Sequence, residues 1–289
     1  MLVLLTLIWG TSYILIKKGL IAFNAAQLAC LRISISFLFS IPIAVYGFKT
    51  IPRSKYGALL AVGVISSGLP AYLFALSMTK SESGVIGILN SLSPLWTIVV
   101  GYYLFHVTIT RQKIMGVLIG FAGALVLVLG KPGAGFKIDA FYSFLPVVAT
   151  FCYGLGTNIT KEKLQHENPV YGTALSLCFV GLPVSVLLFF TGAPAVIASG
   201  NAWLSLLCVT ALAIFGTIAG WMLFYRLVQR TDALFAASVT YLVPIVAIAW
   251  GFLDGEKLSV LQFGGMGLIL LGVYFTTKPT PPNLPKGEE

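Results

Sequence analysis

Two stretches of the chain set hydroxyl, amide and phenol groups beside a proline inside otherwise apolar sequence. Residues 87–100 read GILNSLSPLWTIVV, with Asn90, Ser91, Ser93 and Pro94; residues 238–252 read SVTYLVPIVAIAWGF, with Thr240, Tyr241 and Pro244. A proline inside a helix removes one backbone donor and frees the carbonyl four residues back. Away from water that carbonyl has to be met by a neighbouring helix or a Ser/Thr side chain. The chemistry these residues suit is hydrogen bonding to the polar end of a solute. Matching breaks in two halves of an apolar chain point to a binding cavity. Asn90, Ser93, Thr240 and Tyr241 are the candidate polar contacts, and Pro94 and Pro244 the hinge or kink positions, which also shape helix packing.

Other candidates surround them. Trp9, Ser12 and Tyr13 fall in the first apolar run, Tyr72 in the third and Trp96 in the fourth; Tyr153 and Asn158 fall in the sixth, Trp221 and Tyr225 in the eighth. Aromatic rings also serve interface belts and plain packing, the expected fate of about half of these, whereas mid-run Tyr72 and Trp221 suit cavity walls. Rings with a few hydroxyls and amides fit a small amphipathic organic solute. Arg32 stands about 10 Å into its run at 1.5 Å per residue. A charge there is costly unless it is paired or reaches water. It either snorkels to the helix end or attracts a substrate carboxylate or phosphate.

Several chemistries are excluded. All nine acidic residues, from Glu82 to Glu289, fall in connections or the tail, so no mid-run carboxylate exchanges a proton for a cationic drug. His106 and His166 lie at run ends. There is no G-x-x-x-x-G-K-[ST] loop, no H-E-x-x-H and no G-x-S-x-G, so neither an enzyme nor a bound cofactor or metal is expected. Cys30, Cys152, Cys178 and Cys208 sit in apolar runs without a C-x-x-C pair and read as buried thiols. Asn158-Ile159-Thr160 matches a glycosylation sequon but falls inside a helix.

The elements that must position these residues follow from composition. Of 289 residues 58% are hydrophobic and 9% charged, and the mean hydropathy is +0.95. That is too apolar to clothe a soluble surface, and apolar runs of about 20 residues suit spanning helices. Ten runs qualify: 2–17, 26–46, 56–78, 84–105, 112–130, 141–160, 170–190, 202–225, 233–252 and 260–276. The first lacks a basic flank and a cleavage site, so it reads as a retained helix. The net charge of +9 resides between runs and sets topology; no nucleic acid is implied. With the N-terminus inside, the inner connections carry most of the Lys and Arg, including Lys49, Arg53, Lys55, Arg111 and Lys113. This gives a multi-pass protein of the cytoplasmic (inner) membrane with both termini cytoplasmic.

The two proline stretches are also copies. At an offset of 150, Pro94 meets Pro244, Leu92 meets Leu242 and Gly101 meets Gly251, while Lys80-Ser81-Glu82 meets Arg230-Thr231-Asp232. At an offset of 144, WGTSYILIK echoes YGLGTNITK. The expected organisation is a five-helix repeat over 1–131, a second over 132–277, and a disordered cytoplasmic tail over 278–289. Five is odd, so the second repeat is inverted, which places a substrate site between the halves. Gly116 and Gly120, and Gly216 and Gly220, form G-x-x-x-G pairs that let helices approach closely.

WGTSYILIKKG, SLSPLWTIVVG and YLVPIVAIAWGFLDGEKLSVLQFGGMGLILLGV together resemble the EamA-type branch of the drug/metabolite transporter superfamily over nearly the whole chain. The first-half counterpart of Glu256 in the GEKL motif is His106. The resemblance implies ten helices in two inverted five-helix repeats and export or exchange of small metabolites; some relatives export amino acids, others move nucleotide sugars, sugar phosphates or purines. The reading from residues and resemblance together is an all-α polytopic secondary transporter working by alternating access. It moves a small-molecule substrate, an amino acid or related amphipathic solute, outward across the membrane lipids, as a monomer. The alternatives are a lipid scramblase or flippase, a channel, or an exporter of nucleobases or sugar phosphates.

Overall fold

A computed structural model describes residues 1–81, 83–129, 139–253 and 259–277. Glu82, the connection holding Lys131 and Lys137, the GEKL motif with Glu256, and the tail 278–289 lie outside the described residues, as does the expected boundary between the halves.

The described chain is helical, with no strand. Helices α1 (Leu2–Gly19) and α2 (Ala25–Thr50) lead to a third run made of α3 (Tyr56–Val62), a π-helical segment (Gly63–Gly68) and α4 (Leu69–Ser77). The fourth run divides into α5 (Ser83–Asn90) and α6 (Ser93–Phe105), and α7 (Arg111–Leu129) comes after it. Next come α8 (Ala140–Lys163), α9 (Pro169–Phe190) and the short α10 (Ala193–Ala198). Then α11 (Trp203–Ala211), a second π segment (Leu212–Ala219) and α12 (Gly220–Arg230) make one long rod. The chain closes with α13 (Ala233–Ala237), α14 (Val239–Leu253) and α15 (Val260–Thr277). Among the described residues six helical stretches are long and apolar enough to cross a membrane, and shorter apolar helices cover Ala233–Val246 and Phe263–Thr276.

Polar side chains start these helices by supplying acceptors for first-turn N–H groups that have no partner within the helix. Asn24 and Gln27 form a reciprocal capping box on α2, and Asn168 caps α9 through the amides of Val170 and Tyr171. Asp139 caps α8, and Asp232 caps α13 by accepting from the Phe235 amide at 2.7 Å. His106 ends α6 with φ 51, the non-glycine residue in the left-handed region among those described.

Small residues set which helices touch. Helix α2 packs on α9, α7 on α15, α1 on α14, and α6 on α8. A Cβ on Gly272 of α15 would lie 2.6 Å from the Cα of Gly120 on α7, so Gly116 and Gly120 do bring two backbones together. Gly10 abuts Val246 across the α1–α14 contact, and Gly154 abuts the backbone of Trp96 and Thr97 across the α8–α6 contact. Gly216 and Gly220 instead give room to Ser12 and Trp9 of α1.

Gly272→Val is expected to force α7 and α15 apart and lower stability by about 1–3 kcal/mol, the usual cost of overpacking. Gly264→Ala, where a Cβ meets nothing within 4 Å, is expected to change little. Thermal unfolding of the two variants in detergent checks this.

Candidate functional site

The break in the fourth run is built locally. Pro94 occupies the first turn of α6 and offers no N–H to the Asn90 carbonyl. The Ser93 hydroxyl donates to that carbonyl instead, at 2.8 Å, while Ser91 and Leu92 form the turn. Proline thus opens a new helix after a turn and does not kink one continuous helix. In the ninth run the chain breaks at Ser238, whose hydroxyl donates to the Phe235 carbonyl at 2.7 Å, and Pro244 lies inside α14.

Between α1, α2, α4, α8, α12 and these two breaks lies a cavity with about 740 Å³ of atom-free space, its mouth included. Trp9, Ser12, Tyr13, Arg32, Asn90, Ser93, Tyr153, Trp221 and Thr240 of the sequence candidates line it. The Asn90 amide meets the Tyr13 hydroxyl. The rings form a continuous wall: Phe74 stacks on Tyr153, with centroids 5.8 Å apart, and Tyr153 touches Trp221. Trp221, Trp9 and Phe224 then close a three-ring cluster with centroids 5.3–5.5 Å apart.

The second π segment holds much of this site. Its widened turns present the Gly216 carbonyl to the Trp9 indole N–H at 3.0 Å and the Ala213 carbonyl to the Ser36 hydroxyl at 3.2 Å. Thr217 donates to the Leu212 carbonyl five residues back and accepts from Arg32 Nε at 2.7 Å. Arg32 is half-buried and faces the cavity. Among the described residues the ion pair is Lys113 with Asp232, at 2.8 Å, on other helices. Among the described residues no carboxylate meets Arg32, and none takes its remaining guanidinium N–H groups. Tyr153 lines the same cavity.

The lining hydroxyls share one habit. Ser12 donates to the Ile8 carbonyl, Ser93 to Asn90, Thr157 to Tyr153 and Thr240 to Ala237, at 2.7–2.9 Å. A hydroxyl has one proton and two lone pairs. With the proton committed to the helix, each shows the cavity an acceptor. The site thus combines one cation, several acceptor oxygens and an aromatic wall. Among the described residues that line it there is no His, Cys, Asp or Glu and no paired nucleophile and base. Its chemistry is binding.

The remaining candidates do not reach this cavity. Tyr72 is 39% exposed, and Phe74 two residues on takes the place expected of it. Trp96 packs edge-on against Phe151 at 5.4 Å. Asn158 is buried and donates from Nδ2 to the carbonyls of Thr97 and Gly154, tying α8 to α6. Tyr241 is fully buried, with its hydroxyl on the Val117 carbonyl at 2.9 Å and its ring against Gly120. Tyr225 donates to the Leu164 carbonyl and borders a second, smaller cavity beyond Trp221 and Phe224. Sequence reasoning missed Thr157 and Phe224, each about one helical turn from a chosen residue, so periodicity was a usable signal. Thr217 carried none, because its role depends on the π register.

Comparison with known proteins gives a consistent picture. The model of the EamA-like transporter family matches residues 1–129 and 140–278. An uncharacterised transporter of Archaeoglobus fulgidus is 25% identical over 93% of this chain and 95% of its own. A probable amino-acid metabolite efflux pump of Salmonella typhimurium is 26% identical over 94% and 91%. The uncharacterised inner membrane transporter YedA of Escherichia coli is 23% identical over 94% and 88%. A protein of known crystal structure shares the fold with a TM-score of 0.74 at 17% identity, over 96% of this chain and 94% of that one.

Asn158→Ala is expected to cost about 1–3 kcal/mol, since it removes both Nδ2 bonds, the one to Thr97 tying α8 to α6, and leaves a gap beside Gly101. Tyr241→Phe is expected to cost about 1 kcal/mol for its single bond. Both should keep solute affinity in a ligand-shift assay on the folded fraction, because neither residue lines the cavity.

Proposed function

We propose that this chain, which belongs to the EamA-like transporter family of the drug/metabolite transporter superfamily, carries an amino acid or a close amphipathic relative out of the cell by alternating access. It is a transporter and not an enzyme, and its apolar helices and relatives make it a multi-pass protein of the inner membrane.

The observation that carries the substrate reading is the pairing of an unmatched guanidinium with hydroxyls that can only accept. Arg32 suits a carboxylate, which it engages with charge-assisted bonds. The acceptor oxygens of Ser12, Ser93, Thr157 and Thr240 suit an ammonium group. Trp9, Tyr153 and Trp221 offer an apolar wall to a side chain and ring faces to a cation. An α-amino acid presents these three parts together. The Salmonella relative's description as an amino-acid metabolite efflux pump supports this reading. A lipid-handling role would call for polar side chains on the outer surface, where Leu38, Phe39, Leu187 and Phe189 stand.

The architecture in this reading is ten spans in two inverted five-helix repeats, residues 1–131 and 132–277. Several features support it. The family model matches two stretches on either side of that boundary. The π segment 212–219 lies about 150 residues after the π segment 63–68. Gly10 abuts Val246 while Gly154 abuts Trp96, and these contacts exchange under the offsets of 144 and 150. Both termini are cytoplasmic, which puts the Lys113–Asp232 pair on the cytoplasmic side. The bonds from Lys161 to the Val228 and Thr231 carbonyls lie there too, so α7, α8, α12 and the turn before α13 are tied to one another at that end. The working unit is a monomer, driven by exchange or by the solute's own gradient.

Purified protein in liposomes loaded with unlabelled amino acid should show saturable counterflow of the labelled one. Arg32→Gln should raise the half-saturation concentration at least tenfold, in line with losing a bond to a charged group. Asn90→Ala should lower transport while the protein stays folded. Absence of saturable counterflow for any amino acid, nucleobase or sugar phosphate, with folded protein, overturns the reading.

A further inference from the structure

We infer that the smaller cavity beyond Trp221 and Phe224 is a second solute site, reached from the cytoplasm, which holds the polar end of the transported molecule by hydroxyls alone. This rests on the transporter reading and its orientation. The cavity is lined by Ser67, Thr160, Thr173, Ser176 and Tyr225 and shares Trp221 and Phe224 with the central cavity. The two spaces therefore meet across one aromatic partition.

Two of its hydroxyls are unusual. A serine or threonine in an apolar helix ordinarily gives its proton to the carbonyl a turn back, as Thr160 does to Gly156 at 2.8 Å. Thr173 and Ser176 are each 4% exposed, yet Thr173 Oγ1 and Ser176 Oγ have no hydrogen-bond partner. They lie one turn apart on α9 and line the same cavity. A buried polar group normally finds a partner. Ser34, Ser40, Ser77 and Ser81 also lack a partner, but Thr173 and Ser176 are the two that border this cavity, where a polar guest can supply one.

The repeat assigns that guest. The offset of 144 carries the α2 cap Asn24 onto the α9 cap Asn168, which anchors the register. In that register Arg32 falls on Ser176 and Ile16 on Thr160; at the offset of 150, Thr217 falls on Ser67 and Phe74 on Phe224. Ile16, Arg32 and Phe74 line the central cavity, and Thr217 holds Arg32. The smaller cavity is thus built from the inverted copy of positions that form one side of the central site. Ser67 of the smaller cavity comes from the first π segment, and Thr217, which holds Arg32 at the central one, comes from the second. An inverted pair of half-sites is the arrangement in which a carrier exposes one and then the other.

The copy is unequal in one respect. Ser176 stands where Arg32 stands, so the cytoplasmic site has no cation for a carboxylate. It holds the solute by neutral hydrogen bonds, more weakly than the central site. The Trp221–Phe224 partition is what separates the two, and the solute passes it when those rings move apart.

The test is thiol labelling of the full chain after replacing Cys30, Cys152, Cys178 and Cys208, with a membrane-impermeant maleimide applied to inside-out or right-side-out vesicles. Thr173→Cys and Ser176→Cys should react from the cytoplasmic face at least tenfold faster than Ala174→Cys, whose side chain is fully buried in packing. Thr240→Cys reports the central cavity, and adding Trp221→Ala should speed its reaction from the cytoplasmic face. If Thr240→Cys reacts from one face while both α9 cysteines, in protein that elutes as a folded species, react from neither or only from the outside, the second site is overturned and the central one stands. If none of the three reacts, the transporter reading falls with it.

Discussion

Where the surroundings offer no hydrogen bonds, every backbone polar group must find its partner inside the protein. A chain under that constraint leaves the α-helix only where it can supply a substitute. This one does so with side chains at two places, where Ser93 takes the Asn90 carbonyl and Ser238 takes that of Phe235. At two others it widens the helix into a π segment, over Gly63–Gly68 and Leu212–Ala219. These four departures surround the cavities. Substitution is therefore also construction: hydroxyls that repair the backbone have spent their protons and face the interior as acceptors, and carbonyls displaced from the regular ladder anchor Trp9 and Ser36. The same turns bring Thr217 to Arg32.

Packing obeys a second scarcity. Helices in an apolar medium gain little from burying apolar surface against each other, and close backbone approach takes its place. Glycines lie where the bundle is tightest, at Gly120 against Gly272, Gly10 against Val246 and Gly154 against Trp96. With the outer helices fixed by such contacts, the residues between them can be large, and the aromatic wall from Phe74 to Trp9 fills that space. In the proposed alternating-access cycle, such a frame around a ring-lined interior would let one side of the cavity shift without unravelling its neighbours.

Much of this was legible in the residues. Hydropathy located the apolar runs, and the pairing of polar groups with proline located the break before Pro94, because a proline's missing donor is a chemical fact independent of context; the other break lies at Ser238, six residues before Pro244, which stays inside α14. Trp9, Tyr13, Arg32 and Asn90 were legible for the related reason that a polar or aromatic group mid-run must be accommodated. Depth in a run does not say which way a side chain points, however. Tyr72 and Tyr241 were chosen for their level; one faces outward and the other spends its hydroxyl on the Val117 carbonyl. Asn158 reads as a ligand group and serves as a staple between α8 and α6. The π segments left no trace, since GVISSG and LAIFGTIA look like continuous helix, and each added residue rotates the rest of the helix by about 100°. The role of Thr217, and with it the way Arg32 is held, depended on that hidden turn.

The inequality between the halves is where function separates from fold. In the proposed two-repeat architecture both copies pack alike, as Gly10 against Val246 and Gly154 against Trp96 illustrate. It does not need Arg32 and Ser176 to be alike, since both positions border open space. A guanidinium on one side alone makes the two half-sites differ in what they hold best, while the aromatic partition of Trp221 and Phe224 belongs to both. A cation repeated in each half would bind a carboxylate firmly at either end of the path and slow its departure. In the proposed transport cycle, restricting the cation to the half that contains α2 leaves one end for recognition and the other for release.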